Sequence, residues 1–215
     1  MKNRIVIVCL LFTTLAVAQI KPKKHYVNFE LGSGINFVLN DSTYLFKIGG
    51  MVQPFIGYEK LPNQDADYYF NARRTYFNIG GIAVNEKVDF FLQLDYSRPD
   101  PLLDAWIGYH PFKGFTIAFG QKQTIANNRE MLMMEDQLTF PGRSLLSTEY
   151  SRSGREFGIF LEQRFGKNFG IVPQVSLTSG DGRNSFGADS RDVDFDGFKW
   201  SGRLDLYPLG YFMPG

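Results

Sequence analysis

Val88-Asp89-Phe90-Phe91-Leu92-Gln93-Leu94-Asp95-Tyr96 decides the fold class. Side chains alternate between the two faces of a strand. Val88, Phe90, Leu92, Leu94 and Tyr96 therefore make one wholly apolar face, while Asp89, Phe91, Gln93 and Asp95 put two carboxylates and an amide on the other. A soluble sandwich also alternates, but it turns the polar face to bulk water and the apolar face to a second sheet. Here the pattern recurs in about eight segments, each near the ~10 residues a tilted strand needs to cross a bilayer. Aromatics crowd the segment ends. The pattern predicts an antiparallel transmembrane β-barrel, with a secreted β-sandwich as the alternative.

The segments run outward from that stretch in both directions. The first strand is expected over Tyr44 to Phe55, with Phe46, Ile48, Gly50 and Val52 opposing Lys47, Met51 and Gln53. A polar loop, Glu59 to Tyr69, leads to the second, Phe70 to Ala83, where Phe77 and Ile79 oppose Arg74, Tyr76 and Asn78. Val88 to Tyr96 is the third. In the fourth, Leu103, Ala105, Ile107 and Tyr109 oppose Asp104, Trp106 and Gly108; the fifth is Phe115 to Gln123. The sixth, Arg155 to Phe165, sets Phe157, Ile159 and Leu161 against Glu156, Gly158, Glu162 and Arg164. Phe169 to Ser179 is the seventh despite Pro173, and Gly197 to Tyr207 is the eighth. Connections after even-numbered strands (85–87, 110–114, 166–168) are short, and those after odd-numbered strands are mostly longer, as in barrels with short periplasmic turns and long external loops.

The N-terminus fits that location. Lys2 and Arg4 precede an apolar run, Ile5 to Leu15, and Ala16-Val17-Ala18 gives a small-x-small cleavage pattern. The expected organisation is a signal peptide over 1–18, a polar-to-mixed leader over 19–43, and a partial barrel domain over 44–215 with a long loop at 124–154. Cys9, the one cysteine, leaves with the signal, so a closed sheet rather than disulfides must hold the mature chain. The precursor carries a net charge of +1, and removing Lys2 and Arg4 brings it to −1 (1 − 2 = −1). With no block of like charge, a nucleic-acid partner has no electrostatic footing.

Several stretches, taken together and in order, resemble the phosphate-selective porin O and P family. They are Arg73-Arg74-Thr75-Tyr76-Phe77-Asn78-Ile79-Gly80-Gly81, the Val88 to Tyr96 stretch, Asp104-Ala105-Trp106-Ile107-Gly108-Tyr109 and Phe119-Gly120-Gln121-Lys122. Leu138-Thr139-Phe140-Pro141-Gly142-Arg143-Ser144-Leu145 with Gly154-Arg155-Glu156-Phe157-Gly158 looks like that family's segment around the constriction loop. Ser179-Gly180-Asp181-Gly182-Arg183-Asn184 and Gly202-Arg203-Leu204-Asp205-Leu206-Tyr207-Pro208-Leu209-Gly210 are similar to its later strands. The resemblance spans roughly Gly34 to the end and implies a sixteen-stranded trimeric porin of the cell outer membrane. Against that count the chain supplies about half a barrel and stops at the turn signal Pro214-Gly215. The expectation is an N-terminal portion; closure of eight strands is the alternative. A small closed barrel fills its interior with side chains, whereas the lumen face here carries Gly108, Ala118, Gly120, Gly158, Gly170 and Gly202.

The resemblance also implies basic pore-lining positions, which fall on Arg73 or Arg74, Lys122 and Arg143, with Asp95 at the acidic position of the third strand. A phosphate path needs close positive charge to offset lost hydration. The alternation instead places Lys47, Arg74, Lys122, Arg164, Lys199 and Arg203 against Asp89, Asp95, Asp104, Glu156, Glu162 and Asp205 on the wall. These balance, which favours a general path for small hydrophilic solutes over dedicated anion selectivity. Met131-Leu132-Met133-Met134, too apolar to stand in water, is expected to form a short helix that folds the long loop against the inner wall as a constriction.

Other chemistry is weak. Asp192-Val193-Asp194-Phe195-Asp196-Gly197 imitates a calcium loop, but its twelfth position is Arg203 where a bidentate Glu is needed. His25 and His110 build no metal cluster, and no serine pairs plausibly with His110 for hydrolysis. Neither an enzyme nor a cofactor is expected. The reading is passive diffusion of small hydrophilic solutes, or anions such as phosphate, with outer-membrane lipid and two further copies as partners. The alternative is a non-conducting outer-membrane barrel with an adhesion or structural role.

Overall fold

A computed structural model of the chain describes residues 25–32, 34–40, 43–63, 65–133, 138, 140, 142–150, 154–184 and 196–211. The expected signal peptide and the calcium-like stretch up to residue 195 lie outside the described residues. Ten strands form one antiparallel sheet in strict sequence order. They are β1 (Tyr26–Glu30), β2 (Gly34–Leu39), β3 (Tyr44–Glu59), β4 (Asp67–Ala83), β5 (Val88–Asp95), β6 (Leu102–Tyr109), β7 (Phe115–Gln123), β8 (Arg155–Gln163), β9 (Gly170–Thr178) and β10 (Lys199–Tyr207). Two short helices, α1 (Arg129–Leu132) and α2 (Leu145–Tyr150), interrupt the connection between β7 and β8. Among the described residues no pairing joins β10 back to β1.

The strands depart from the sequence expectation in several places. The stretch read as a leader forms a hairpin, β1–β2, turning through Gly32 at φ 84° and into Gly34 at φ 92°, left-handed values that favour glycine. Its strands have 5 and 6 residues, shorter than the membrane-crossing length that the alternation singles out. Strands β3 and β4 are also longer than expected, at 16 and 17 residues, so the polar loop between them shrinks to 60–66. Proline lacks the donor a ladder requires. The register accordingly shifts between Gln53 and Pro54, with Arg73 as the extra residue of β4.

A second shift falls between Gln93 and Leu94 and makes Leu103 the extra residue of β6, buried rather than on the outward face where it was expected. Elsewhere the polar and apolar faces are kept. Asp89 lies opposite Gly108, Phe91 opposite Trp106 and Gln93 opposite Asp104. The same face continues through Lys122 opposite Glu156 and Ala118 opposite Phe160, then through Ser176 opposite Ser201. Pro173 stays within β9, opposite Leu204. Burial is the reverse of that in a water-soluble domain. Gln93, Gln121, Glu156, Thr178 and Ser176 are fully buried, whereas Ile107, Phe119, Ile159, Trp200 and Leu204 are exposed. One face of the sheet gathers polar side chains under cover, and the other presents large apolar side chains outward.

Candidate functional site

The polar face of β5 to β10 carries ion pairs both across strands and along them. Arg155 approaches Asp104 at 2.9 Å and donates to Gln93 Oε1 at 3.1 Å, which ties β8 to β6 and β5. As the first residue of its strand, Arg155 reaches this face with a long side chain. Lys199 meets the buried Glu156 at 2.6 Å, and Thr178 donates its hydroxyl to the same carboxylate. Arg203 pairs with Asp205 at 2.8 Å, and Gln174 donates to the other Asp205 oxygen at 2.9 Å. Arg164 pairs with Glu162 at 2.7 Å.

The long connection folds onto this face. Ile125 is buried against Ala118, Phe160 and Trp106. Asn127 Nδ2 and Thr124 N both donate to the Gly154 carbonyl, at 2.8 and 3.1 Å, so the two ends of the loop are drawn together. Arg203 reaches in from β10 and donates to the Asn127 carbonyl at 2.7 Å. Helix α1 starts at Asn128, whose side chain accepts from Met131 N. The helix starts earlier than the expected Met131 to Met134 run and holds only Met131 and Leu132 of it; Met133 is its extended C-cap, and Met134 lies outside the described residues. Between loop and wall lies a cavity of about 800 Å3 to which all six strands from β5 to β10 contribute. Leu132 and Met133 from the loop face Trp106, Lys122, Glu162 and Tyr207 across it.

A second set of contacts keeps the loop in shape. The Glu130 carboxylate accepts from Ser144 N at 2.6 Å, from Ser144 Oγ at 2.8 Å and from Ser147 Oγ. Those bonds stabilise the charged form and hold the Glu130 carboxyl below the usual carboxylate range, the Ser147 hydroxyl having the largest effect. Arg143 donates to the Met133 carbonyl at 2.8 Å and to the Glu130 carbonyl. Two arms of the loop are therefore clasped, one carrying α1 and the other α2.

The residues singled out from the sequence separate into different roles. Lys122 lies on the cavity wall, with Nζ 5.0 Å from the Trp106 ring and 5.4 Å from the Phe160 ring. It has no carboxylate within ion-pair distance among the described residues. Arg143 is in the inward loop, where it binds loop carbonyls. Arg73 is exposed, stacks over Phe55 at 5.7 Å, and lies so close to Gly142 that a Cβ there would meet Nη2 at 2.9 Å. Arg74 donates to Gln53 Oε1 at 2.7 Å. Asp95 is almost fully buried and accepts from Thr75 N, Ser97 N and Ser97 Oγ at 3.1, 3.1 and 2.6 Å, locking the β5–β6 turn. Lys122 and the loop come together; Arg74 and Asp95 do not line this cavity.

Arg203, Glu130, Asn127 and Trp106 carry the geometry, and the motifs do not single them out. Of these, Arg203 was readable, since alternation puts it with Asp205 among the wall charges. Two lumen-face glycines have a different explanation from open space. A Cβ on Gly120 or Gly158 would come within 2.3 Å of the Ala105 or Leu177 carbonyl, so close approach of neighbouring strands requires glycine there. His110 bridges Asp89 (3.1 Å) and Thr116 (3.0 Å) at the short turn after β6. Neither His110 nor Thr116 lines the cavity, so the trio reads as a turn lock. Compared with known proteins, the chain matches no family model and no curated protein.

Proposed function

We propose that the chain forms wall and constriction of an outer-membrane porin through which small hydrophilic solutes diffuse passively. One observation carries this reading. The loop after β7 is folded onto a polar, ion-paired face, while the opposite face of the same strands presents exposed Ile107, Phe119, Ile159, Trp200 and Leu204. Water-soluble proteins rarely expose such an apolar band, and hydrocarbon is the medium that suits it. The polar face then borders water, and the inward loop narrows it. Strands β5 to β10 have 8 or 9 residues, close to the ~9–11 that a tilted strand uses to cross.

The solute class follows from the charge arrangement. Arg155, Lys199, Arg203 and Arg164 are each compensated by a carboxylate on the same face. Such a surface orients water and neutral polar solutes but offers no ladder of free cations for a multivalent anion. Resemblance to the phosphate-selective porins and the trimer it implies remain part of this proposal, with phosphate as one solute among others. Planar-bilayer recording of the protein purified from outer membranes tests it. The expected result is stepwise, ohmic current with weak ion selectivity and no block by micromolar phosphate. A membrane-inserted protein without current steps would favour the non-conducting barrel, and micromolar phosphate block would restore a dedicated anion site.

A further inference from the structure

The cavity between the inward loop and β5 to β10 combines charge with aromatic surface. Lys122, Arg164 and Arg203 line it against Asp104, Glu162 and Asp205, so its wall carries no net charge. Rings share the same wall. Phe91 and Trp106 come from β5 and β6 with centroids 6.2 Å apart, and Tyr207 and Tyr211 from the end of β10 with centroids 5.2 Å apart. At about 800 Å3 the cavity falls within the ~300–1,000 Å3 typical of sites that enclose a small molecule.

One corner of it keeps polar atoms in reserve. Gln174 on β9 lies opposite Glu162 on β8 and opposite Arg203 on β10, and Tyr207 follows Asp205 along that same face of β10. Arg164 meets Glu162 through Nε and Oε1 at 2.7 Å, which leaves both Nη groups and Oε2 without a hydrogen-bond partner among the described residues. Their side chains are 62 and 29% exposed, so a solute in the cavity reaches them. Gln174 gives Nε2 to Asp205 and keeps Oε1 as an acceptor. An anion here would meet three carboxylates, and a hydrocarbon would leave these polar atoms unpaired. A trans amide points its N–H and C=O in opposite directions and engages one member of the Glu162–Arg164 pair. A hydroxyl donates and accepts at a single atom. Two neighbouring hydroxyls therefore bridge carboxylate and guanidinium together.

We propose that this cavity is a subsite for a neutral saccharide, which the pore favours among small hydrophilic solutes. The proposal rests on the porin reading above and narrows its solute. A pyranose has an apolar C–H face and a rim of neighbouring hydroxyls, and the corner at Tyr207 offers a ring beside a polar pair. Tyr207 takes the C–H face, while Glu162, Arg164 and Gln174 take the hydroxyl rim. Leu132 and Met133 of the inward loop close the cavity from the other side. Binding here is weak by design, because conduction requires that a solute leave as readily as it enters.

Planar-bilayer recording of the protein from outer membranes tests the subsite, with maltose as the probe. Maltose should reduce the single-channel current, and the reduction should saturate at millimolar concentration. A polyethylene glycol of similar mass carries hydroxyls only at its ends and should reduce the current without saturating. Tyr207→Leu and Arg164→Met should each weaken the maltose effect by about tenfold, equivalent to about 1.4 kcal/mol. Open-channel steps retained by either variant show that it folds and inserts. A maltose effect that never saturates, that polyethylene glycol reproduces, or that both variants keep in full would overturn the subsite. Insertion of the unaltered protein without current steps in any solute would instead sink the porin reading itself.

Discussion

Arg203 on β10 and Asn127, 76 positions earlier, are joined by a 2.7 Å hydrogen bond from the guanidinium to the carbonyl. The same guanidinium reaches the Ile125 carbonyl at 3.4 Å and pairs through Nε with Asp205. Its charge is therefore engaged in holding the loop against the far wall of the cavity. Hydrogen bonds to a charged group contribute about 1.5–3 kcal/mol. Arg203→Met should loosen the loop by that order, raise single-channel conductance and admit larger neutral solutes. An unchanged size limit in liposome swelling would contradict the anchoring role.

The clasp at Glu130 has a defined acid limit. Its carboxyl is held below the ordinary range, so the contribution is complete above the unfolded value of about 4.3. It is lost as pH falls through the lower folded value. Protection factors of the amides in 128–133 and 142–150, corrected for the intrinsic slowing of exchange in acid, should hold at neutral pH and fall only under strongly acidic conditions. Glu130→Gln should show the faster exchange already at neutral pH. Equal exchange of the variant and the parent at pH 7 would dismiss the clasp.

The pair formed by Glu156 and Lys199 predicts non-additive stability. Glu156 is 1% exposed, and among the described residues Lys199 is the cation at ion-pair distance from it. Lys199→Met leaves a buried carboxylate held by Thr178 alone and should cost about 3–5 kcal/mol. Glu156→Gln in the same chain should recover most of it, because no buried charge remains. Urea unfolding in detergent micelles measures both, and additive losses would show that the ion pair does not act as a unit.

Strand β7 offers a matched test of the two faces. Phe119 points to the exposed apolar side, and Thr116 lies opposite Glu162 on the polar side. Phe119→Lys should hinder assembly by about 2–4 kcal/mol, the cost of a lysine facing mid-bilayer. Thr116→Lys should assemble with a far smaller loss, limited to its hydrogen bond with His110. Equal assembly of the two in a heat-modifiability assay would reverse the face assignment.

The strands from Val88 onward were legible because period-two alternation runs through most of each, the extra Leu103 of β6 falling near a strand end where it hides little of the pattern. Strands β1 and β2 were not, since their 5 and 6 residues hold too few repeats to stand out from a mixed leader. The ends of β3 and β4 nearest 60–66 were obscured by Pro54 and by the extra Arg73, which interrupt the repeat at the register shift. Among site residues, Lys122 shares a face with Asp104, Trp106 and Glu156, the grouping that strand parity gives. The role of Asp95 as a turn lock depends on Thr75 and Ser97 converging from two strands, and Arg143 depends on carbonyls of a helix end. Both are set by register and loop path, which a local pattern does not encode.

Strict neighbour pairing also governs how the sheet can be built. Each strand from β2 to β10 finds its first partner immediately before it in the chain. Assembly can therefore proceed by adding one hairpin at a time, without any segment waiting for a distant one to be made. The gap from Gln123 to Arg155 is the widest that any such step must close, and the entropic cost of closure grows only with the logarithm of length. Nucleation at any hairpin can spread in both directions, and a stalled intermediate always presents a ready edge to the next strand.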